Sequence, residues 1–162
     1  MKKIYIIRHA KSSWKDLNLD DFDRPLNRRG RFDAPLMGEK LKSKNIMPDI
    51  VISSSALRTK LTAQTITQKV GYTKDILFSK DLYESSASVI YDKLSNLDDR
   101  YKTVFLFGHN TGINEFVEKY VEFYENVPTC GVVEIDFNCA SWKEISKRNA
   151  KLVSFDYPKN YK

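Results

Sequence analysis

The sequence predicts an α/β protein, a three-layer sandwich in which a mostly parallel central sheet is flanked by helices. Three observations carry that prediction. The runs KKIYIIR, DIVISS, DILF and TVFLFG are apolar without alternation, the pattern of strands covered on both faces. Segments of helical period separate them, and strands that alternate with helices build a parallel sheet. The 162 residues, 41% hydrophobic and 30% charged, are enough chain for a single domain over 1–162 that buries its core without staples.

Taken in order, KKIYIIR (2–8) is the first strand. Between Arg29 and Lys44 a helix is expected, with Phe32, Leu36, Met37 and Leu41 turned inward and NRRG as its entry turn. DIVISS (49–54) is the second strand, and Ala56 to Val70 a helix marked by Leu57, Leu61, Ile66 and Val70. DILF (75–78) is the third strand. Ser86 to Leu97 gathers Val89, Ile90, Leu94 and Leu97 on one helical face. TVFLFG (103–108) is the fourth strand, and Ile113 to about Tyr124 a helix with Phe116, Val117, Tyr120 and Val121 inward. VVEIDF, SWKEIS and KLVSFDYP read as later strands, the last at or near a sheet edge. No internal repeat or low-complexity linker interrupts the chain.

The formal charge of +6, from 27 basic and 21 acidic residues, admits nucleic acid, an acidic surface or phosphate-bearing substrates as partners. Acidic residues are mixed through the basic ones, so most lysines read as a solvated surface. With no basic stripe, binding motif or stacking platform, a nucleic-acid role is not expected. No apolar run is long enough to span a bilayer. MKKIYII is cut by Arg8 before it reaches the length of a signal-peptide core, and a cytoplasmic location follows. Cys130 and Cys139 read as reduced, half-buried thiols.

In open α/β sheets, ligands bind beyond the carboxyl ends of the strands. Arg8 and His9 end the first strand, Ser53 to Ser55 end the second and lead to Arg58, Glu84 follows the third, and His109 ends the fourth. His9 and His109 are the only histidines in the chain. Singly, each has a plain structural reading: His9 as a turn residue, Arg58 as a surface arginine on a helix. Together they form a phosphoryl-transfer set. Two guanidinium groups offer planar forks to phosphoryl oxygens. One imidazole can attack phosphorus, held by a backbone carbonyl at its other nitrogen, while the second stabilises the charge that develops. No HxH or HExxH pattern suggests a metal, and no cofactor is expected.

The loop from Asn18 to Arg29 has two readings. It can simply lead into a helix, with Asn27 as cap and Arg24 and Pro25 structural. Alternatively, Asn27 or Arg24 reaches the phosphate site. Lys11 and Ser12, directly after His9, are candidate substrate contacts. Glu84 is the first choice for a general acid, with Asp21 or Asp23 as alternatives from the opposite loop. Glu84 is equally describable as a carboxylate at a helix start.

RHAKSSW (8–14), DFDRPLNRRGRFDAPLMG (21–38), ISSSALRTKLTAQT (52–65), FLFGHNTGI (105–113) and PTCGVVEIDF (128–137), in this order, resemble the histidine phosphatase superfamily. The likeness is to its phosphoglycerate-mutase-like branch, and within that to small SixA-type phosphohistidine phosphatases. It implies His9 as a nucleophile that becomes a phosphohistidine, Arg8 and Arg58 as phosphoryl clamps, and His109 as the second histidine. It also implies a metal-independent reaction. Related phosphatases often carry a glutamate after the third strand, whereas SixA-type relatives commonly lack one, so the resemblance leaves Glu84 open. No interval between these motifs leaves room for a long lid, which favours an open pocket and a phosphohistidine-bearing protein as partner. The alternatives are a small soluble phosphate ester as substrate, or a phosphate-recognising module without turnover. Monomer and weak homodimer are both compatible with the sequence.

Overall fold

Six strands form one sheet in the computed structural model, which describes residues 1–162. They are β1 (Lys2–Arg8), β2 (Ile50–Ser54), β3 (Ile76–Ser79), β4 (Thr103–Gly108), β5 (Val132–Phe137) and β6 (Ala150–Asp156). Their spatial order is β3-β2-β4-β1-β5-β6. The first four pair in parallel, while β5 and β6 add antiparallel strands beyond β1. Four helices complete the sandwich: α1 (Arg28–Ser43), α2 (Leu57–Val70), α3 (Ala87–Ser95) and α4 (Gly112–Tyr120).

Because side chains alternate across a strand, β1 feeds two cores. Ile4 and Ile6, with Val104 and Leu106 of β4, pack on the α3 and α4 side against Ile90, Leu94, Phe116 and Val117. Tyr5 and Ile7, with Phe105 and Phe107, pack on the α1 and α2 side against Met37, Leu41, Ala63 and Ile66. An uninterrupted apolar run is what a central strand with two buried faces requires. The three-layer arrangement and mostly parallel sheet agree with the sequence reading.

Four local readings need correction. SWKEIS is not a strand: Trp142–Glu144 form a single 3₁₀ turn, capped by the Ser141 hydroxyl, which accepts from Lys143 N–H. Its apolar signal comes from Trp142, a fully buried anchor whose indole N–H donates to the Tyr101 carbonyl at 2.7 Å. DILF does pair as β3, but at the sheet edge, where Leu77 and Phe78 stay partly open to solvent. Phe32 faces outward at 60% exposure, beneath the Lys162 ammonium, and the buried face of α1 is Ala34, Met37, Gly38 and Leu41. The fourth helix ends at Tyr120, short of Tyr124, which is exposed. Cys130 is completely buried and Cys139 only partly so, and both thiols are free. No helix is long and apolar enough to cross a membrane.

Candidate active site

The register of the central pair sets the site. β1 and β4 pair in parallel with Arg8 opposite Gly108. The next residue on each strand is a histidine, so His9 and His109 leave the sheet side by side, with ring centroids 5.1 Å apart. The His9 N–H still donates to the Gly108 carbonyl at 3.1 Å, which ties the two strand ends together. β2 pairs with β4 in the same direction, and its last residue, Ser54, places its hydroxyl 2.8 Å from Nε2 of His109. The Thr59 hydroxyl, in the first turn of α2, lies 3.1 Å from the same nitrogen.

Arg58 enters from the first turn of α2. The Thr62 hydroxyl one turn later donates to the Arg58 carbonyl at 2.7 Å and accepts the Ala10 N–H at 2.9 Å, locking α2 to the chain after β1. α1 is drawn equally close. A Cβ on Gly30 would stand 2.1 Å from the Lys11 carbonyl oxygen, so only glycine allows α1 to approach the loop after His9. On the far side, the Cys130 N–H is shared between the Arg8 and His9 carbonyls at 3.1 and 2.9 Å. That turn needs a positive φ of 61° at Cys130.

These elements enclose a cavity of about 530 Å³ lined by Arg8, His9, Lys11, Ser12, Trp14, Asp21, Arg24, Arg58, Tyr83, Glu84, His109 and Thr129, among others. Five candidates from the sequence, Arg8, His9, Arg58, His109 and Glu84, therefore share one pocket with Lys11 and Ser12. Asn27 does not line it. Its side chain accepts from the Gly30 N–H at 2.9 Å as the cap of α1, which corrects its reading as a substrate contact. Asp23 is exposed and away from the pocket. Arg24, favoured as structural, is both: buried in contacts to Asp21 and Ser12, and part of the pocket wall.

Sequence reasoning missed how Asp21 organises the arginines. Its Oδ2 accepts from Arg58 Nη2 at 3.0 Å and from the Tyr83 hydroxyl, its Oδ1 accepts from Arg24 Nε at 3.0 Å, and its carbonyl accepts from Arg58 Nη1 at 2.6 Å. The Tyr83 hydroxyl, together with Arg58 and Arg24, holds the Asp21 carboxyl down at about 2 despite partial burial. It is therefore an anion at neutral pH and no proton donor. The cluster of acids around DRP was a visible signal; the partner Tyr83, in another element, was not.

Arg8 donates from Nη1 to the Val127 carbonyl at 3.0 Å. Both Arg8 Nε and Arg58 Nε are buried without any partner. Two unmatched cationic N–H groups in one pocket are costly unless an anion completes them. His9 presents Nδ1 to the Ala10 carbonyl at 2.7 Å. Nδ1 therefore carries the proton, and the lone pair is on Nε2. Burial, and then the charges of Arg58, Arg8 and Arg24, bring His9 down to about 4 against the opposing pull of the Ala10 carbonyl. Burial, His9 and Arg58 bring His109 down to about 3. Both imidazoles are neutral at pH 7. The Ser54 hydroxyl accepts from Ala56 N–H, and with the Thr59 hydroxyl it holds His109 Nε2 in place.

The model of the histidine phosphatase superfamily (branch 1) matches residues 4–127. An uncharacterised chloroplastic protein of Arabidopsis thaliana is 30% identical over 88% of this chain and 70% of its own length. A candidate phosphohistidine phosphatase SixA from Agrobacterium tumefaciens superposes with a TM-score of 0.84 at 23% identity, over 97% of this chain and 98% of that one. The protein histidine phosphatase SixA complexed with tungstate gives a TM-score of 0.84 at 18% identity over 99% of each chain. At these identities the two structures establish the fold.

Proposed function

The chain belongs to the histidine phosphatase superfamily, branch 1, as a hydrolase of the histidine-phosphatase type, and from that premise we propose that it removes phosphoryl groups from phosphohistidine in a protein, through a phosphoenzyme on His9. The observation that carries this reading is the pair of unpartnered, buried Nε–H groups of Arg8 and Arg58 in the same pocket as an imidazole whose Nε2 is unprotonated. The cations select a phosphoryl group and the free lone pair supplies the nucleophile. The tungstate held by a fold neighbour is an oxyanion of comparable shape.

In the first step His9 Nε2 forms a bond to phosphorus as the substrate's P–N bond breaks. The substrate ring reacts already protonated at its other nitrogen and departs as neutral imidazole, while His9 keeps its Nδ1 proton and becomes the phosphoimidazolium. The Arg8 and Arg58 N–H groups hold the equatorial oxygens, and His109, beside His9, donates a hydrogen bond to one of them. In the second step water adds to phosphorus, the His9–P bond breaks, and phosphate is released. Both protons of the water leave with the phosphate, and His9 returns to its neutral form with the proton on Nδ1. Lys11 and Ser12 border the pocket where the rest of the phosphoryl group or its carrier lies.

A second reading, hydrolysis of small phosphate esters, is favoured by Glu84. It is the one pocket carboxyl besides Asp21 and makes no ion pair, so it is placed to protonate an alkoxide. Trapping separates these readings from a binding module. Purified protein mixed with a phosphohistidine peptide and quenched at alkaline pH should carry an acid-labile, base-stable phosphoryl group on His9. A module without turnover would carry none, and a label retained in His9→Ala would remove the assignment. Turnover of phosphoserine peptides in preference to phosphohistidine would move the substrate to esters.

A further inference from the structure

The loop from Ser12 to Leu26 is pinned at its base. Ser12 and Leu26 form an isolated antiparallel bridge, the Ser13 N–H donates to the Pro25 carbonyl at 2.8 Å, and the Asn27 N–H donates to the Lys11 carbonyl at 3.0 Å. In that register Trp14 falls opposite Arg24, and the Arg24 guanidinium carbon lies 3.4 Å from the centroid of the Trp14 ring. Arg24 itself cannot shift easily, being bonded to Asp21 Oδ1, the Ser12 hydroxyl and the Ser13 carbonyl. The indole is thus fixed on a buried cation, yet it is 64% exposed and lines the mouth of the reaction pocket. With one face covered by Arg24, the exposure belongs to the other face and the edges. Apart from Tyr83, which is bonded to Asp21 and set edge-on to His109, the pocket lining is polar, and a large aromatic ring held rigid and open there is out of place as packing.

We propose that Trp14 is a specificity-determining residue that takes a flat leaving group, such as the imidazole of phosphohistidine, against its open face while the arginines hold the phosphoryl end. The inference deepens the phosphatase reading and rests on it for the identity of the phosphoryl site. Its chemistry is general: an aromatic face stacks planar rings in offset or edge-to-face geometries, with a gain beyond the area buried, at little cost in side-chain entropy. Arg24 acts as a positioning residue by holding the ring in place, and a guanidinium on the rear face locks the indole without occupying the front.

The experiment compares Trp14→Ala and Trp14→Phe with the unaltered protein on a phosphohistidine peptide, on p-nitrophenyl phosphate and on acetyl phosphate, which leaves readily but has no ring. For Trp14→Ala, the loss of kcat/KM on the ring-bearing substrates should exceed the loss on acetyl phosphate by roughly 10-fold, with Trp14→Phe recovering most of it. Equal losses on all three would mean that Trp14 only supports Arg24, and would overturn the proposal. Binding gives a second readout that does not depend on turnover. Trp142 is fully buried, so acrylamide quenching of fluorescence reports Trp14. In His9→Ala, the phosphohistidine peptide should protect Trp14 from quenching, whereas inorganic phosphate should not. Protection by phosphate alone, or none by the peptide, overturns the stacking. An unaltered protein that ignores phosphohistidine but shows the Trp14 effect on p-nitrophenyl phosphate would sink the phosphohistidine reading and leave the role of Trp14 standing.

Discussion

Arg58 commits both terminal nitrogens to Asp21 and keeps Nε–H free; Arg8 commits Nη1 to Val127 and also keeps Nε–H free. The guanidinium is used here as a part with several donors, some fastened to the protein and one left without a protein partner. Lysine has a single point of charge and cannot do both. Arg58→Lys should therefore lower kcat/KM on the best substrate by about 2 to 4 kcal/mol in transition-state terms, roughly 30- to 1000-fold. Steady-state kinetics on a folded variant checks this, and wild-type kinetics would show that a point charge suffices. The clamp residues were legible because each follows or leads away from a strand end in one short motif. Asp21 and Tyr83 were not legible in their joint role. They are far apart in sequence and meet only because the loop before α1 folds over the turn after β3, a contact that no spacing rule anticipates.

At the scale of elements, α1 shows how a cap can be mistaken for a ligand. Asn27 directly follows the pinned loop of the site, so its neighbourhood suggests contact with substrate, but its side chain is turned to the Gly30 N–H at the helix start. Asn27→Ala should cost about 1 kcal/mol of stability, visible as a fall of roughly 2 to 4 °C in Tm, and Asn27→Asp should restore it. KM should stay within about 2-fold for Asn27→Asp, because the cap is kept and no pocket contact is lost. A large rise in KM with an unchanged Tm would return Asn27 to the substrate. The same logic explains which elements the sequence revealed. β1, β2 and β4 are buried on both faces, so their apolar runs are unambiguous. β3 has the same composition but lies at an edge, and composition alone does not tell centre from edge. SWKEIS reads as a strand because one buried anchor, Trp142, stands in a short polar segment, where alternation cannot be tested over enough positions. Phe32 has helical spacing but lies at the boundary of the α1 stripe, where Lys162 covers it instead of the core.

Considered whole, the molecule gathers positive charge at one end of its sheet and keeps both of its histidines there, buried and neutral. This has a consequence for stability. In the unfolded chain both imidazoles titrate near 6.5, whereas in the fold His9 is brought down to about 4 and His109 to about 3, chiefly by burial. Between these limits the unfolded state binds more protons than the folded one, so stability must fall as pH falls. At pH 7 the folded state holds neutral histidines and the unfolded chain mostly does, so little is lost. Near pH 5 two extra protons bind on unfolding, and the slope approaches about 2.7 kcal/mol per pH unit as an upper bound. Asp21 contributes in a separate window. Its folded value of about 2 lies below the ordinary 3.8, so the stability it lends is present above pH 3.8 and is lost only below it. Denaturant melts from pH 7 to pH 4 should therefore show a loss that begins near pH 6.5, well above the window of Asp21. His9→Gln combined with His109→Gln should flatten that limb and leave the loss below pH 4 in place. A limb unchanged in the double variant would assign the acid sensitivity to carboxylates. The two histidine signals in an NMR titration give the check residue by residue, since with only two histidines in the chain both midpoints should fall below 5, and a midpoint near 6.5 for His9 would mean that the arginine-lined pocket is open to water and its nucleophile is not held neutral by the fold.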